Sequence, residues 1–262
     1  MVAARSLVKQ NPLTAFLVIT LFIGFAASVG IWLSPDRVAM TLTFGLLIAF
    51  SSTIAALIVL AVLHDPEENQ ALRHRLLHWR VGLRWYLIAL GVPTLAWLLA
   101  SIVSLLSGAT IVPAWANLAQ VPAIVLLVIG EEFGWRGFAL PHFQQRYSPR
   151  TASLVIGFFW GLYHVTAYLQ QSLIIIILTF ALAIIGSVIL TWLFNGTSGS
   201  IPVGVVFHTA VNTGSLILLA GNSRIEATFL AAVLILGVFA GFLCVRPSFL
   251  SVKGVQLVPA KP

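Results

Sequence analysis

The segment from residue 121 to residue 140 reads VPAIVLLVIGEEFGWRGFAL, which places three charged side chains inside an apolar run. The charged residues are Glu131, Glu132 and Arg136. An apolar helix of about 20 residues has the length that crosses the hydrocarbon core of a bilayer. Ionisable groups at that depth cost about 2.5 kcal/mol or more each, and by default they indicate a functional site. The segment therefore predicts both a membrane-embedded fold and the centre of its site.

The composition of the whole chain agrees with a membrane fold. The chain has 262 residues, of which 60% are hydrophobic and only 8% are charged, and its mean hydropathy is +1.04. Soluble domains carry about 25% charged residues, so the composition excludes an ordinary soluble domain. The excess of 14 Lys and Arg over 7 Asp and Glu does not indicate nucleic-acid binding, because the bases lie between apolar segments.

Apolar runs of about 20 residues predict eight transmembrane helices in one bundle, and hence an all-α polytopic membrane protein. No repeat or second domain is visible, so residues 1–262 are predicted to form a single membrane domain. The predicted spans are 13–33, 38–63, 84–107, 118–143, 150–169, 172–194, 199–220 and 225–247.

The distribution of bases predicts the orientation of the bundle. If the N-terminus is cytoplasmic, the outer loops hold two bases, Arg37 and Arg224. The cytoplasmic segments then hold eleven, which are Arg5, Lys9, Arg73, Arg75, Arg80, Arg84, Arg146, Arg150, Arg246, Lys253 and Lys261. The positive-inside rule therefore predicts that both termini are cytoplasmic. Because the chain has no obvious eukaryotic targeting signal, we expect a multi-pass protein of a bacterial cytoplasmic membrane.

The longest connection, residues 64–83, alternates arginine with leucine and tryptophan. This pattern predicts an amphipathic helix on the membrane surface, and an ordinary solvated loop is the alternative.

Helical spacing separates the roles of the charged residues. Glu132 and Arg136 are four residues apart, so they lie on one face of a helix and can form an ion pair. Glu131 lies about 100° further round the helix and remains free for chemistry. The alternative is that the Glu132–Arg136 pair has a purely structural role and holds two helices together.

Two histidines and an asparagine lie deep in other spans. His164 belongs to the fifth span, and His208 and Asn212 lie one helical turn apart in the seventh. At a rise of about 1.5 Å per residue, Glu131, His164 and His208 are roughly 18, 21 and 14 Å from the cytoplasmic ends of their spans. We expect these groups to meet in a polar catalytic cavity. The alternative is a non-catalytic transporter, proton relay or bacteriocin-immunity-type binding protein that uses the same groups.

Three short motifs in these spans resemble those of a known family. EEFGWR at 131–136 matches EExxxR, WGLYH at 160–164 resembles an aromatic-xxx-H motif, and HTAVN at 208–212 matches HxxxN. In this order they resemble the CPBP family, which includes type II CAAX prenyl endopeptidases, Abi-type proteins and proteins like lysostaphin resistance protein A. The resemblance covers about residues 85–215, the predicted catalytic core. It departs from the family pattern at Trp160, where Phe is usual.

The resemblance implies a fold, an activity and a set of roles. The fold is an eight-helix intramembrane bundle with a cavity open to the cytoplasmic side, and the activity is endoproteolysis of a membrane-associated protein or peptide. Glu131 would be the general base, helped by His164, while His208 and Asn212 would bind the oxyanion. Glu132 and Arg136 would be supporting residues. The substrate stays open between prenylated tails, bacteriocin precursors, signal-peptide remnants and membrane regulators.

Two other catalytic chemistries are alternatives to a water molecule activated only by Glu131 and His164. The resemblance favours a metal-free mechanism without a cofactor, and the alternative is Zn²⁺ bound by Glu131, His164 and His208. Residues 196–199 read GTSG, which resembles the nucleophile motif of rhomboid serine proteases. His208 is about 15 Å from Ser198 along a helix, too far to activate it, whereas pairing with His164 stays open. We interpret the motif as an interfacial turn.

Overall fold

The computed structural model describes residues 2–34 and 37–246, which form a bundle of helices. Lys253 and Lys261, which entered the count of bases, lie outside these residues. The described residues contain eleven α-helices: α1 (Val2–Gln10), α2 (Pro12–Leu33), α3 (Arg37–Leu63), α4 (Pro66–Leu77), α5 (Leu83–Leu106), α6 (Val121–Glu132), α7 (Leu140–Gln144), α8 (Pro149–Tyr168), α9 (Leu173–Gly196), α10 (Ile201–Leu218) and α11 (Ile225–Val245). A 3₁₀ helix (Trp115–Gln120) precedes α6, and a π-helical segment (Phe133–Ala139) separates α6 from α7. The predicted all-α bundle is confirmed.

Side-chain caps and prolines determine where several helices begin. The Asp65 carboxylate accepts a hydrogen bond from the backbone N–H of Glu67 at 3.0 Å at the start of α4. Ser148 and Ser172 cap α8 and α9 in the same way. Such caps satisfy backbone N–H groups that have no partner within the helix.

Seven of these segments are long and apolar enough to cross a membrane, within the described residues. The apolar part of α3 begins at Thr43, and the fourth predicted span becomes the continuous segment Trp115–Gln144. The fifth predicted span forms α8 but is not among the seven, because Arg150, Tyr163 and His164 lower its hydropathy. Seven of the eight predicted spans are therefore among these candidates in the described residues, and the eighth, α8, is a helix packed against α9 and α2.

Successive spans alternate in direction, so the bundle has two ends. We call one of them the basic end, and it consists of α1, α4 and the connections 145–148 and 197–200. There the hydroxyl of Ser200 donates a hydrogen bond to the carbonyl oxygen of His78 at 2.6 Å, which joins the start of α10 to the end of α4. The cytoplasmic location of the basic end stays a prediction.

The opposite end consists of the connections 107–114, 169–172 and 219–224. Backbone hydrogen bonds join two of these connections, as in the bond from Val112 N to the carbonyl oxygen of Gly221 at 3.0 Å. The two ends are therefore closed by different elements.

One face of helix α4 is packed against the bundle. Glu68 and Arg75 are almost fully buried and form an ion pair of 3.0 Å. Arg75 also donates a hydrogen bond of 2.9 Å to the carbonyl oxygen of Gly137 in the π-helical segment. The structure contains a helix in this segment, and a buried ion pair and this hydrogen bond hold one face of α4 against the bundle. Its position at the membrane surface stays a prediction.

Two glycines allow α8 and α9 to approach closely. A Cβ atom at Gly157 would lie 2.7 Å from the Cα atom of Ile184, and one at Gly161 would lie 2.8 Å from the ring of Phe180. Both distances are shorter than any normal contact. The two glycines therefore form a small-residue face by which α8 contacts α9, as in other membrane helix pairs.

Candidate active site

Glu131 and Glu132 lie at the end of α6, immediately before the π-helical segment. Their exposed fractions are 7% and 0%. Single π-helical turns within helices occur mostly at functional sites. Because successive helical residues point about 100° apart, the two carboxylates have different neighbours.

Glu132 belongs to a buried charged cluster. Its Oε1 atom lies 3.0 Å from Nη1 of Arg136 and 3.0 Å from Nδ1 of His208. The predicted pairing of Glu132 with Arg136 is confirmed, whereas the contact with His208 was not predicted. Removing one partner of a buried pair costs about 3–5 kcal/mol, because it leaves the other charge unpaired. The cluster therefore ties α6 and the π-helical segment to α10.

Glu131 faces α8 instead. Its Oε2 atom accepts a hydrogen bond of 2.7 Å from the indole N–H of Trp160 and lies 3.8 Å from Nε2 of His164. Nδ1 of His164 lies 2.8 Å from the carbonyl oxygen of Trp160. Since a carbonyl oxygen only accepts, Nδ1 carries the proton, and Nε2 of the neutral ring has a free lone pair. Oε2 of Glu131 and Nε2 of His164 are thus two neighbouring hydrogen-bond acceptors, and one water molecule can donate a hydrogen bond to each.

The predicted catalytic residues line one cavity of about 1100 Å³. They are Glu131, His164, His208 and Asn212. His208 and Asn212 lie one turn apart on α10, and His208 presents its Nδ1 atom to Glu132. Glu132 and Arg136 lie outside the lining of the cavity. The structure brings the four residues together, while their roles stay predictions.

Trp160, where the second motif departs from the family pattern, makes two contacts in the site that were not predicted. Besides its hydrogen bond to Glu131, its ring lies under the guanidinium of Arg136, with 4.3 Å from the Cζ atom to the ring centre. Such a cation–π contact contributes about 2 kcal/mol when desolvated. One signal was available in the sequence, because a buried indole N–H usually has a hydrogen-bond partner. Trp160 therefore connects the Glu131 site to the charged cluster.

The residues do not fit the alternative zinc site. Within the described parts of the chain, no group of three or more His, Cys, Asp or Glu side chains is arranged to hold a metal ion. Of the proposed ligands, His208 has its Nδ1 atom bound to Glu132, which leaves only Nε2 to face the cavity. We therefore derive no step through a metal.

The GTSG sequence lies away from the site. Ser198 is exposed in the turn between α9 and α10, where its φ angle is +56°. Unlike His164, it does not line the cavity. The interpretation as a turn agrees with this position, and the pairing of Ser198 with His164 is not formed.

The fold and the site define a polytopic helical membrane protein in which a buried carboxylate and an imidazole face a large cavity. Residues 113–214 match the family described as type II CAAX prenyl endopeptidase Rce1-like. This segment lies within the predicted core at 85–215 and carries all three motifs. The resemblance predicted from the motifs is confirmed by this match.

A curated relative extends the similarity to most of the chain. The chain is 27% identical over 261 aligned residues to CAAX prenyl protease 2 of Methanococcus maripaludis. The alignment covers 87% of this chain and 94% of that protein. The family and the seven apolar helices support a membrane-embedded endopeptidase.

Proposed function

We propose that this protein hydrolyses a peptide bond in a membrane-associated protein or peptide, using a water molecule activated by Glu131 and His164. The observation that carries the proposal is the 3.8 Å separation between Glu131 Oε2 and His164 Nε2 at the wall of the cavity. Two acceptors at this distance suit one water that donates to both. General-base assistance of this kind accelerates a reaction by about 10²–10⁴-fold.

The proposed reaction transfers one proton from water to the site and then to the leaving group. The water oxygen attacks the carbonyl carbon of the scissile bond, and its proton passes to Glu131 or His164. The tetrahedral intermediate then collapses, the C–N bond breaks, and the same proton goes to the leaving amine. Glu131 returns to its ionised form with the products bound, so no other reactant is required.

His208 and Asn212 are proposed to stabilise the oxyanion. Hydrogen bonds from such groups contribute about 2.7–4 kcal/mol to the transition state. Since Nδ1 of His208 contacts the Glu132 carboxylate, Nε2 can donate a hydrogen bond only when both ring nitrogens are protonated. Glu132 and Arg136 thus act by supporting His208 rather than by touching the substrate.

The first experiment replaces the proposed base. Glu131→Gln keeps the size of the side chain and an oxygen that can accept from Trp160, so the thermal unfolding midpoint in detergent should be unchanged. Cleavage of membrane-tethered peptides by the purified variant should fall at least about 100-fold, because a carboxamide cannot take up the proton. Uncleaved membrane peptides that accumulate in cells carrying this variant would identify the substrate.

The matched control is Glu67→Gln on the exposed face of α4, which lies outside the cavity lining. This variant should cleave at the wild-type rate. A Glu131→Gln protein that still cleaves at a similar rate would refute the role of Glu131.

A second experiment tests the metal-free mechanism. Incubation with a chelator such as EDTA, followed by gel filtration, should leave the cleavage rate unchanged, and elemental analysis should find no stoichiometric zinc. The expectation is supported by the described residues, among which no group of three or more His, Cys, Asp or Glu side chains is arranged to hold a metal ion. Loss of activity that only added Zn²⁺ restores would contradict it.

A further inference from the structure

Helix α3 carries none of the three motifs and lies outside residues 113–214, yet it contacts both helices of the proposed base. Two of its residues, Ile48 and Ala49, line the cavity together with Glu131 and His164. The following turn of α3 is bonded to the end of α6, and Ile48 is bonded to α8. The position of α3 is thus shared by the two helices that carry Glu131 and His164.

Side-chain hydroxyls of α3 bind the end of α6. The Thr53 hydroxyl donates a hydrogen bond of 2.5 Å to the carbonyl oxygen of Gly130. The buried Ser52 hydroxyl lies 3.4 Å from the same oxygen and 3.3 Å from the carbonyl oxygen of Glu131. These carbonyl groups belong to the last turn of α6, immediately before the π-helical segment. Hydroxyl donors satisfy backbone groups where a membrane helix departs from α-helical hydrogen bonding.

Glycines allow α3 to come close enough for these bonds. A Cβ atom at Gly130 would lie 2.8 Å from the ring of Phe50. A Cβ atom at Gly134 would lie 2.4 Å from the carbonyl carbon and from the Cβ atom of Ser52. Both distances are too short for real atoms, so these positions have no room for a side chain. The backbone on either side of Glu131 is therefore in direct contact with α3.

The same helix holds the residue that precedes His164. The Tyr163 hydroxyl donates a hydrogen bond to the carbonyl oxygen of Ile48 on α3. The buried Tyr163 ring meets the ring of His164 edge-on, with 5.0 Å between the ring centres. It also lies against α2, where a Cβ atom at Gly24 would be 3.0 Å from Cδ2 of Tyr163. Tyr163 is thus held by α2 and α3, and its position restricts that of His164.

We infer that Ser52, Thr53 and Tyr163 are positioning residues, which act through α3 on the geometry of the proposed base. Together they set the separation of 3.8 Å between Glu131 Oε2 and His164 Nε2. This inference rests on the proposed function, because the separation matters for catalysis only if both atoms bind one water molecule. A misplacement of about 1 Å can lower the rate of an enzyme about 100-fold, so small shifts of α3 are sufficient.

Thr53→Val tests the bond to α6, because valine keeps the shape of threonine and removes the donor. The kcat for cleavage of a membrane-tethered peptide should fall at least about fivefold, as expected for the loss of one net hydrogen bond, while KM stays unchanged. Thr53→Ser keeps a hydroxyl and should retain most of the wild-type kcat. Rates are measured well below the unfolding midpoint of each variant, so that they report orientation rather than unfolding.

The matched control is Thr94→Val on α5. The Thr94 hydroxyl donates a hydrogen bond of 2.7 Å to the carbonyl oxygen of Leu90 in its own helix, and Thr94 lies outside the cavity lining. Its kcat should equal that of the wild-type protein. The inference would be overturned if Thr53→Val had the same kcat as Thr94→Val, or if it changed KM alone.

Tyr163→Phe tests the contact of α3 with α8, and it is combined with Thr53→Val to test the common support. Each single variant should lower kcat. The loss in the double variant should be smaller than the product of the two single losses, because both changes act on the same pair of atoms. Losses that multiply would show two independent effects and would contradict the role of α3.

Hydrogen–deuterium exchange separates this inference from the proposed function, because it needs no substrate. In detergent, exchange over residues 130–139 should be at least about threefold faster in Thr53→Val than in Thr94→Val, since the end of α6 loses a bond to α3. Equal exchange in the two variants would overturn the inference. If the wild-type protein cleaves no peptide, the proposed function fails, whereas exchange still decides whether α3 holds the backbone of Glu131.

Discussion

Two adjacent glutamates have different neighbours because each faces a different helix. Glu132 is neutralised by Arg136 and bound to His208, so it is a structural group whose partners are all charged or polar. Glu131 accepts a hydrogen bond from Trp160 and faces the lone pair of His164. Only the second environment leaves a carboxylate available to accept a proton from water. The difference arises from a rotation of about 100° along one helix.

Trp160→Phe tests the hydrogen bond that orients Glu131. Phenylalanine keeps an aromatic ring at this buried position, so the fold should tolerate it, but it cannot donate a hydrogen bond to Oε2 of Glu131. A hydrogen bond to a charged group contributes about 1.5–3 kcal/mol, so kcat should fall roughly tenfold or more. KM should change little, since the loss concerns the orientation of the base.

The control is Trp192→Phe, a tryptophan that packs on Trp85 away from the cavity. Its kcat should match that of the wild-type protein. An unchanged kcat for Trp160→Phe, or a rise in KM alone, would show that the indole N–H is not needed to orient Glu131.

At the scale of the elements, α4 braces the π-helical segment that follows the two glutamates. Arg75 reaches from α4 to the carbonyl oxygen of Gly137 and pairs with Glu68. The π-helical segment itself lies tightly against α3, since a Cβ atom at Gly134 would lie 2.4 Å from backbone and side-chain atoms of Ser52. The segment is thus held on two sides. This support keeps Glu131 at the wall of the cavity.

Arg75→Ala should destabilise the protein by about 3–5 kcal/mol, because it leaves the buried Glu68 carboxylate without its partner. The measurement is unfolding in detergent, followed by circular dichroism. Arg73→Ala provides the comparison, since Arg73 is an exposed arginine on the same helix and its removal should change stability by less than about 0.5 kcal/mol. Equal stabilities for the two variants would show that α4 does not brace the bundle.

At the scale of the whole molecule, the cavity ends at the site and does not continue through the bundle. A transporter or proton relay needs a path that reaches both faces. Here the residues between the site and the basic end are buried, and they include the apolar residues Leu140 and Leu193 beside the ion-paired Arg75. The shape of the cavity favours a hydrolase over these alternatives.

Proteoliposomes test this distinction. With a pH gradient or a membrane potential imposed, vesicles containing the protein should lose the gradient no faster than empty vesicles. An added ionophore serves as the positive control. Flux that requires Glu131 would support the transporter or proton relay instead.

The sequence alone predicted the helical bundle and most of its spans, because a backbone in lipid must satisfy its hydrogen bonds within a helix. It also predicted the pairing of Glu132 with Arg136, since residues four apart share a helical face. Both predictions depend only on the periodicity of a single helix and on the length of its apolar run. The three motifs also indicated the family resemblance, and they identified four residues that line the cavity.

Only the tertiary structure decided which groups meet across helices. Glu132 contacts His208, which lies 76 residues away, and Trp160 donates to Glu131 from a distance of 29 residues. The sequence also did not predict the burial of Arg75 or the end of the bundle at which the cavity opens. These features depend on how neighbouring helices rotate and pack, and the periodicity of a single helix does not contain that information.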